Sequence, residues 1–228
     1  GIDALKYADV YNKKFESLLI PMYGRTIHPK EENVTFQPYG NKDGHFINSV
    51  SRASINQMLI EHAQKTGNVD IHFNMKCDKV DLLEGKLHFG KTVYETNYPI
   101  IGADGYKSVV SRNISLLKEI KLEYVNIEHS YKELTIFPKN NEYQIEPNSL
   151  HIWPRRNMMM IALPNLDKSF TCTLFMKSKW KNSFESITDN HSVMLFFEEN
   201  FNDAVKLFSN LGNEFFNNST GKLVGLRV

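Results

Sequence analysis

Between Glu146 and Phe175 the chain reads EPNSLHIWPRRNMMMIALPNLDKSFTCTLF, with apolar positions grouped into short runs. The runs at 150–153, 158–163 and 170–176 predict strands, separated by connections at 154–157 and 164–168 where Pro, Asn and Asp favour turns. Connections this short join antiparallel neighbours, so the segment reads as a meander. Along 158–163, Met159, Ile161 and Leu163 share one face while Met158, Met160 and Ala162 share the other. Both faces are apolar, which predicts a strand covered on both sides.

Elsewhere the pattern alternates between periods. A helix is expected from Ile2 to about Leu19, with Tyr11-Asn12 as a candidate break and Pro21 as a stop. Strands follow at 25–28, 34–38 and 45–49. Ser51 is a plausible N-cap for a helix with Ile55, Met58, Leu59, His62 and Ala63 on one face, closed by Gly67. A strand at 69–73 precedes a hairpin, 79–83 with 86–89, across Glu84-Gly85. A short buried strand at 98–102 then runs into Ala103-Asp104-Gly105 and a helix beginning near Tyr106. In a strand, turn and helix of this kind, backbone N–H groups can face a phosphate. The stretch 131–136 joins the meander, helices are expected near 192–200 and 203–211, and a strand at 222–228. The class is therefore mixed, α/β with α+β character. Residues 1–122 read as part of a nucleotide-binding unit that also holds early strands of the second part at 23–40. Residues 123–228 read as an antiparallel sheet with following helices.

The balance of 27 basic and 26 acidic side chains gives a net charge of +1, which argues against electrostatic capture of nucleic acid or membrane. Cys77 and Cys172 lie far apart and match no metal or redox motif, so a reduced, cytoplasmic protein is the simplest expectation. No apolar run approaches membrane-spanning length, and the first residues do not resemble a signal peptide. Beginning inside an amphipathic helix pattern without Met and stopping in an alternating run, the chain is expected to be cut from something longer. The 8 histidines show no metal-ligand spacing, and no nucleophile elbow or G-x-G-x-x-G turn is present.

Four motifs carry the chemistry. Ile20-Pro21-Met22-Tyr23-Gly24-Arg25-Thr26-Ile27-His28 is followed by Gln37-Pro38-Tyr39-Gly40, then Ser49-Val50-Ser51-Arg52, and then Ile101-Gly102-Ala103-Asp104-Gly105 with Ser108. From the residues alone, Arg25 offers a planar fork for a carboxylate and Tyr39 one oriented donor, although a lone strand arginine is usually solvated. Gly105 permits close approach to a ligand and Ser108 can donate to a phosphate, although Asp-Gly is also a common turn. Arg52 at a helix start opposes the helix dipole, a mild cost that a bound anion would offset.

Together with the meander, these motifs closely resemble the kynurenine 3-monooxygenases, which are flavin-dependent aromatic hydroxylases. The resemblance covers nearly the whole chain, being strongest at 20–52, 98–108 and 129–176. It implies a para-hydroxybenzoate-hydroxylase-like fold, with a partial FAD/NAD(P)-binding Rossmann-like unit beside an antiparallel substrate domain. It implies FAD as cofactor, NADPH as co-substrate and hydroxylation of L-kynurenine to 3-hydroxykynurenine, a step of tryptophan degradation toward NAD. By the same resemblance Arg25 and Tyr39 bind the substrate carboxylate, and Leu150, Ile161, Leu163 and Phe175 line the aromatic pocket. Arg52, Asp104, Gly105 and Ser108 approach FAD, and no side chain acts as an acid or base. The family pattern has an arginine three residues after the serine; here Ser111 stands there and Arg112 follows. The family's glycine-rich turn and C-terminal flavin motif are absent, so the 228 residues alone are expected to hold FAD poorly and to be inactive. Two alternatives stay open: another FAD-dependent aromatic hydroxylase, or a non-catalytic fragment or interaction module.

Overall fold

The computed structural model describes residues 1–40, 44–105, 107–118, 120–179 and 182–227. Its helices are α1 (Ile2–Tyr7), α2 (Lys13–Glu16), α3 (Arg52–Lys65), α4 (Val109–Lys118), α5 (Asn190–Asn200) and α6 (Leu211–Asn217). Its strands are β1 (Ile20–Met22), β2 (Gly24–Ile27), β3 (Thr35–Pro38), β4 (Ile47–Ser49), β5 (Lys79–Asp81) and β6 (Lys86–Phe89). They continue as β7 (Thr92–Glu95), β8 (Glu123–Ile136), β9 (Ser149–Arg155), β10 (Met158–Pro164), β11 (Phe170–Lys177) and β12 (Gly221–Arg227). Two compact units result, Gly1–Asn68 with Glu128–Lys222 and Val69–Ile127 with Leu223–Val228. These units follow compactness, whereas the expected division at 122/123 is one of role.

Seven strands form one sheet in the order β12–β8–β11–β10–β9–β2–β3. The expected meander is β9–β10–β11, antiparallel throughout, with Met160 opposite both Trp153 and Leu174. β2 joins β9 in parallel, and β3 closes that edge antiparallel to β2. Asp167 caps the second connection by accepting from the Ser169 amide at 3.0 Å. One face of β8–β11, including Leu134, Trp153, Met160, Phe170 and Leu174, packs on Val193, Phe196 and Phe197 of α5 and on Leu211 and Phe215 of α6. Each such side chain removed from water contributes roughly 1.5–3 kcal/mol, so this layer is the main core. The other face is only half-buried: Ile161 and Leu163 are partly exposed and Met159 more so. The expectation of cover on both sides therefore holds for one side among the described residues.

The expected helix to Leu19 is two short pieces. Asp9 takes a left-handed conformation (φ 54°), and the Asn12 side chain accepts the Phe15 amide at 3.1 Å, starting α2 anew. Val10 and Phe15 then pack with Met58 of α3 in a small second core. Ser51 caps α3 as expected, accepting from the Ser54 amide, and Gly67 follows with φ 71°. The helix expected at 203–211 is replaced by a single 3-10 turn, Val205–Leu207, with α6 starting at Leu211. Asp203 there is committed to the buried Arg155, 2.8 Å away.

In the other unit β5, β6 and β7 form a meander turning at Gly85 (φ 64°) and Gly90 (φ 61°). The segments at 69–73 and 98–102 are not strands, and Val69, Phe73, Tyr98 and Ile101 are exposed. A strand needs a neighbour for its N–H and C=O groups, and no described ladder reaches these segments. The helix start expected near Tyr106 and the strand end at Val228 fall outside the described residues. No helix among the described residues is long and apolar enough to cross a membrane.

Candidate functional site

Side chains opposite one another in a ladder share a sheet face, so the register of the strands assigns faces directly. Met159 pairs with Phe175, Ile161 with Ile152 and Thr173, and Arg25 with Leu150 and Gln37. Leu150, Ile161, Leu163, Phe175 and Arg25 therefore all lie on the half-exposed face, and Tyr39, two residues after Gln37, has the same parity. Across the strands the face grades in character. Arg25 stands on β2, apolar Leu150 and Ile152 on β9, Ile161 and Leu163 on β10, hydroxyl-bearing Thr171 and Thr173 on β11, and Glu133 on β8. A flat apolar ring with a charged end suits that gradient.

At the β2 end the Arg25 guanidinium lies 5.2 Å from the centre of the Tyr39 ring, within cation–π range. Arg25 is exposed and makes no hydrogen bond or ion pair with described residues. The Tyr39 hydroxyl is buried and likewise has no partner. A buried unpaired hydroxyl costs free energy, so a ligand oxygen at this point would be favoured. Gly40 shapes the same corner, because a Cβ there would overlap the His45 ring.

Arg52, at the start of α3, lines a cavity of about 650 Å³ with Tyr131, Glu133, Thr135, Thr171 and Gly221. Tyr131, Glu133, Thr135 and Thr171 belong to the same half-exposed face, so Arg52 borders the face that carries the pocket residues. Its guanidinium also lacks a partner among the described residues. Gly221 is required here, since a Cβ would overlap the Tyr131 ring.

Asp104, Gly105 and Ser108 lie in the second unit. Asp104 accepts the Val109 amide at 2.7 Å and Ser108 accepts the Ser111 amide at 2.9 Å, so both side chains cap α4. Hydrogen bonds from the Ser108 hydroxyl, and then from the Val109 amide, hold the Asp104 carboxyl below its usual range. Two amides that could have faced a phosphate are thus already engaged. Gly105 adopts φ 77°, which only glycine takes without strain. Arg112 folds back on the Ser108 carbonyl at 3.3 Å.

Reading the motifs did not single out Ile152, Thr171, Thr173, Tyr131 or Glu133. The parity that selects Ile161 and Leu163 also selects Thr171 and Thr173 once the register is known. Among the described residues no group of His, Cys, Asp and Glu is placed to hold a metal ion.

No family model matches the chain. Kynurenine 3-monooxygenase of Flavobacterium johnsoniae is 39% identical over 217 residues, covering 92% of this chain and 48% of that protein. The Dictyostelium discoideum enzyme of the same name is 39% identical over 215 residues (92% and 46%), and that of Myxococcus xanthus 35% over 233 residues (100% and 50%). Among solved structures, PqsL of Pseudomonas aeruginosa, described as a probable FAD-dependent monooxygenase, superposes with a TM-score of 0.68 at 13% identity, covering 97% of this chain and 60% of that one. Tetracycline destructase Tet(55) gives 0.62 at 12% identity, covering 100% and 57%. At such identities these structures speak to the fold, which is the mixed class expected from the sequence. Over nearly all of its length this chain belongs with the kynurenine 3-monooxygenases, and it spans about half the length of the curated relatives it matches.

Proposed function

We propose that this chain supplies the substrate-binding face, and part of the cofactor site, of an FAD- and NADPH-dependent enzyme that hydroxylates L-kynurenine at the ring carbon beside the amino group. In the balanced reaction one atom of dioxygen replaces the ring hydrogen as hydroxyl and the other leaves as water. NADPH supplies the two electrons as hydride and becomes NADP⁺, and solvent supplies the one proton that completes the water. FAD, when bound, carries those electrons to oxygen.

The observation that carries the proposal is the corner formed by Arg25 and Tyr39. A guanidinium without a hydrogen bond or ion pair and a buried, unpaired phenol hydroxyl stand together beside the apolar middle of the face. The fork takes the amino-acid carboxylate, the phenol donates to the same group, and the ring extends over Leu150, Ile161, Leu163 and Phe175. These groups orient the ring and exclude water, with no proton transferred by a side chain. The unpaired Arg52 fits a cofactor bearing anionic or carbonyl oxygens. In the second unit, Asp104, Gly105 and Ser108 are assigned to the cofactor by the motif resemblance alone. Isolated, the 228 residues are not a working enzyme.

The test is product formation from kynurenine by the full polypeptide carrying these residues, with the 228-residue chain as control. Arg25→Ala should lower kynurenine affinity by about 2–5 kcal/mol, with Arg25→Lys recovering part of it. An unchanged kynurenine KM in Arg25→Ala would sink the carboxylate assignment, and hydroxylation of a different aromatic instead would move the reading to another hydroxylase.

A further inference from the structure

The strand that carries Arg25 meets the strand that carries Leu150 in parallel, whereas the described ladders on either side are antiparallel. Backbone hydrogen bonds alone specify such a junction weakly. A shift of two residues keeps the ladder and keeps every side chain on its face. It would also carry Arg25 about 6.6 Å along β9, away from Leu150. Something other than the backbone must choose the register.

On the covered side of the sheet a row of polar contacts does so. The Thr26 and Ser149 hydroxyls are 2.6 Å apart. His28 Nε2 lies 2.9 Å from His151 Nδ1, and His151 Nε2 lies 2.8 Å from the Glu146 carbonyl oxygen. A carbonyl only accepts, so His151 carries its proton on Nε2 and leaves Nδ1 bare. His28 must then donate through Nε2. The result is a directed chain: His28 N–H to His151 Nδ1, and His151 N–H to the Glu146 carbonyl. The His28 ring also stacks on Trp153 with centroids 4.2 Å apart. Arg155, which is buried, donates to the His28 carbonyl at 2.7 Å while paired to Asp203 at 2.8 Å. A two-residue shift would break each of these side-chain contacts and leave buried polar groups unpaired, which costs far more than the ladder could recover.

We infer that His28 and His151, with Thr26 and Ser149, are positioning residues that set the β2–β9 register and thereby hold Arg25 at its distance from the apolar slot. The inference rests on Arg25 as the carboxylate-binding group. None of the four faces the substrate; they act through the strand. Because the contacts lie behind the sheet, their loss should show in substrate affinity more than in turnover.

The experiment measures kynurenine KM and kcat in the full, flavin-loaded polypeptide for His28→Phe, His28→Gln and Arg25→Ala, and for His28→Phe combined with Arg25→Ala. His28→Phe keeps a ring over Trp153 but has no donor for His151. It should raise KM about five- to twentyfold with kcat within about twofold. The Gln amide can reach His151 Nδ1 and should bring KM back to within about threefold of the parent. In the Arg25→Ala background, His28→Phe should add less than about twofold, because the group being positioned is gone. An equal rise in both backgrounds overturns the inference, as does an unchanged KM in His28→Phe where Arg25→Ala raises it. If Arg25→Ala itself leaves KM unchanged, the carboxylate reading fails and this inference falls with it. Should His28→Phe not fold, Thr26→Val, which removes only the hydroxyl pair with Ser149, carries the same comparison with an expected rise of about two- to fivefold.

Discussion

The two faces of the large sheet are written in alternate residues of the same strands, yet they are built to different standards. Behind the sheet, Met160, Ala162, Phe170, Cys172 and Leu174 are fully buried against α5 and α6. Several polar groups on that side are enclosed and partnered, as with His151 and Arg155, although the Trp153 indole N–H has no partner among the described residues. In front, Ile161, Leu163 and Phe175 are half-covered, Arg25 makes no hydrogen bond or ion pair with described residues, and the Tyr39 hydroxyl has no hydrogen-bond partner among them. Stability resides on the first face. Unspent binding capacity resides on the second, because groups already satisfied by the protein have little to offer a ligand.

The largest effect expected from breaking this contrast is on the covered face. Phe170→Ala removes a fully buried ring and leaves a cavity, so unfolding in urea should show a loss of about 3–5 kcal/mol. A loss under about 1 kcal/mol would mean that this layer is not the core described. Acid gives the next effect. Burial, reinforced by His151, lowers the His28 pKa from 6.5 to about 4. Burial lowers His151 as well. Arg155, Asp203 and Glu146 are the charged groups facing the pair. Above pH 6.5 both states hold these rings neutral and the stability is fully present. As pH falls toward about 4 the unfolded chain takes up protons that the folded one resists, and stability is lost through that window. Allowing for solvent screening at the half-exposed His28, the loss is about 1–2 kcal/mol, read as a drop in urea midpoint between pH 7 and pH 4.5 that is smaller in His28→Phe. A midpoint that falls equally in both proteins would place the acid response elsewhere. The smallest effect belongs to the open face. Ile161→Thr should change unfolding stability by less than about 1 kcal/mol while weakening kynurenine binding, and the reverse pattern would show the face to be structural.

Much of the sheet was legible because its information is local. The period-2 run Met158–Leu163 and the Pro-Asn turns define strands without knowledge of their partners, and Ser51 and Gly67 mark the ends of α3. The same alternation placed Leu150, Ile161, Leu163 and Phe175 on one side. What stayed hidden is non-local. At 69–73 and 98–102 the residue types suit strands, but a strand exists only when a neighbour receives its backbone groups. Asp104 and Ser108 also cap α4 through the Val109 and Ser111 amides, a role that the motif reading did not give them. The hydrogen bond between His28 and His151 joins residues 123 positions apart, so no motif scan could pair them.

Gly221 has a wider reach than its size suggests. With no side chain, it leaves the space that the Tyr131 ring occupies, and Tyr131 stands opposite Phe175 on the open face. The outline of a surface several strands wide is therefore set partly by an empty volume at the first residue of β12. A single methyl group there would act like a shim, tilting Tyr131 toward its neighbour and narrowing the floor beside Arg52. A residue that bears no functional group can thus shape a face through the space it leaves open.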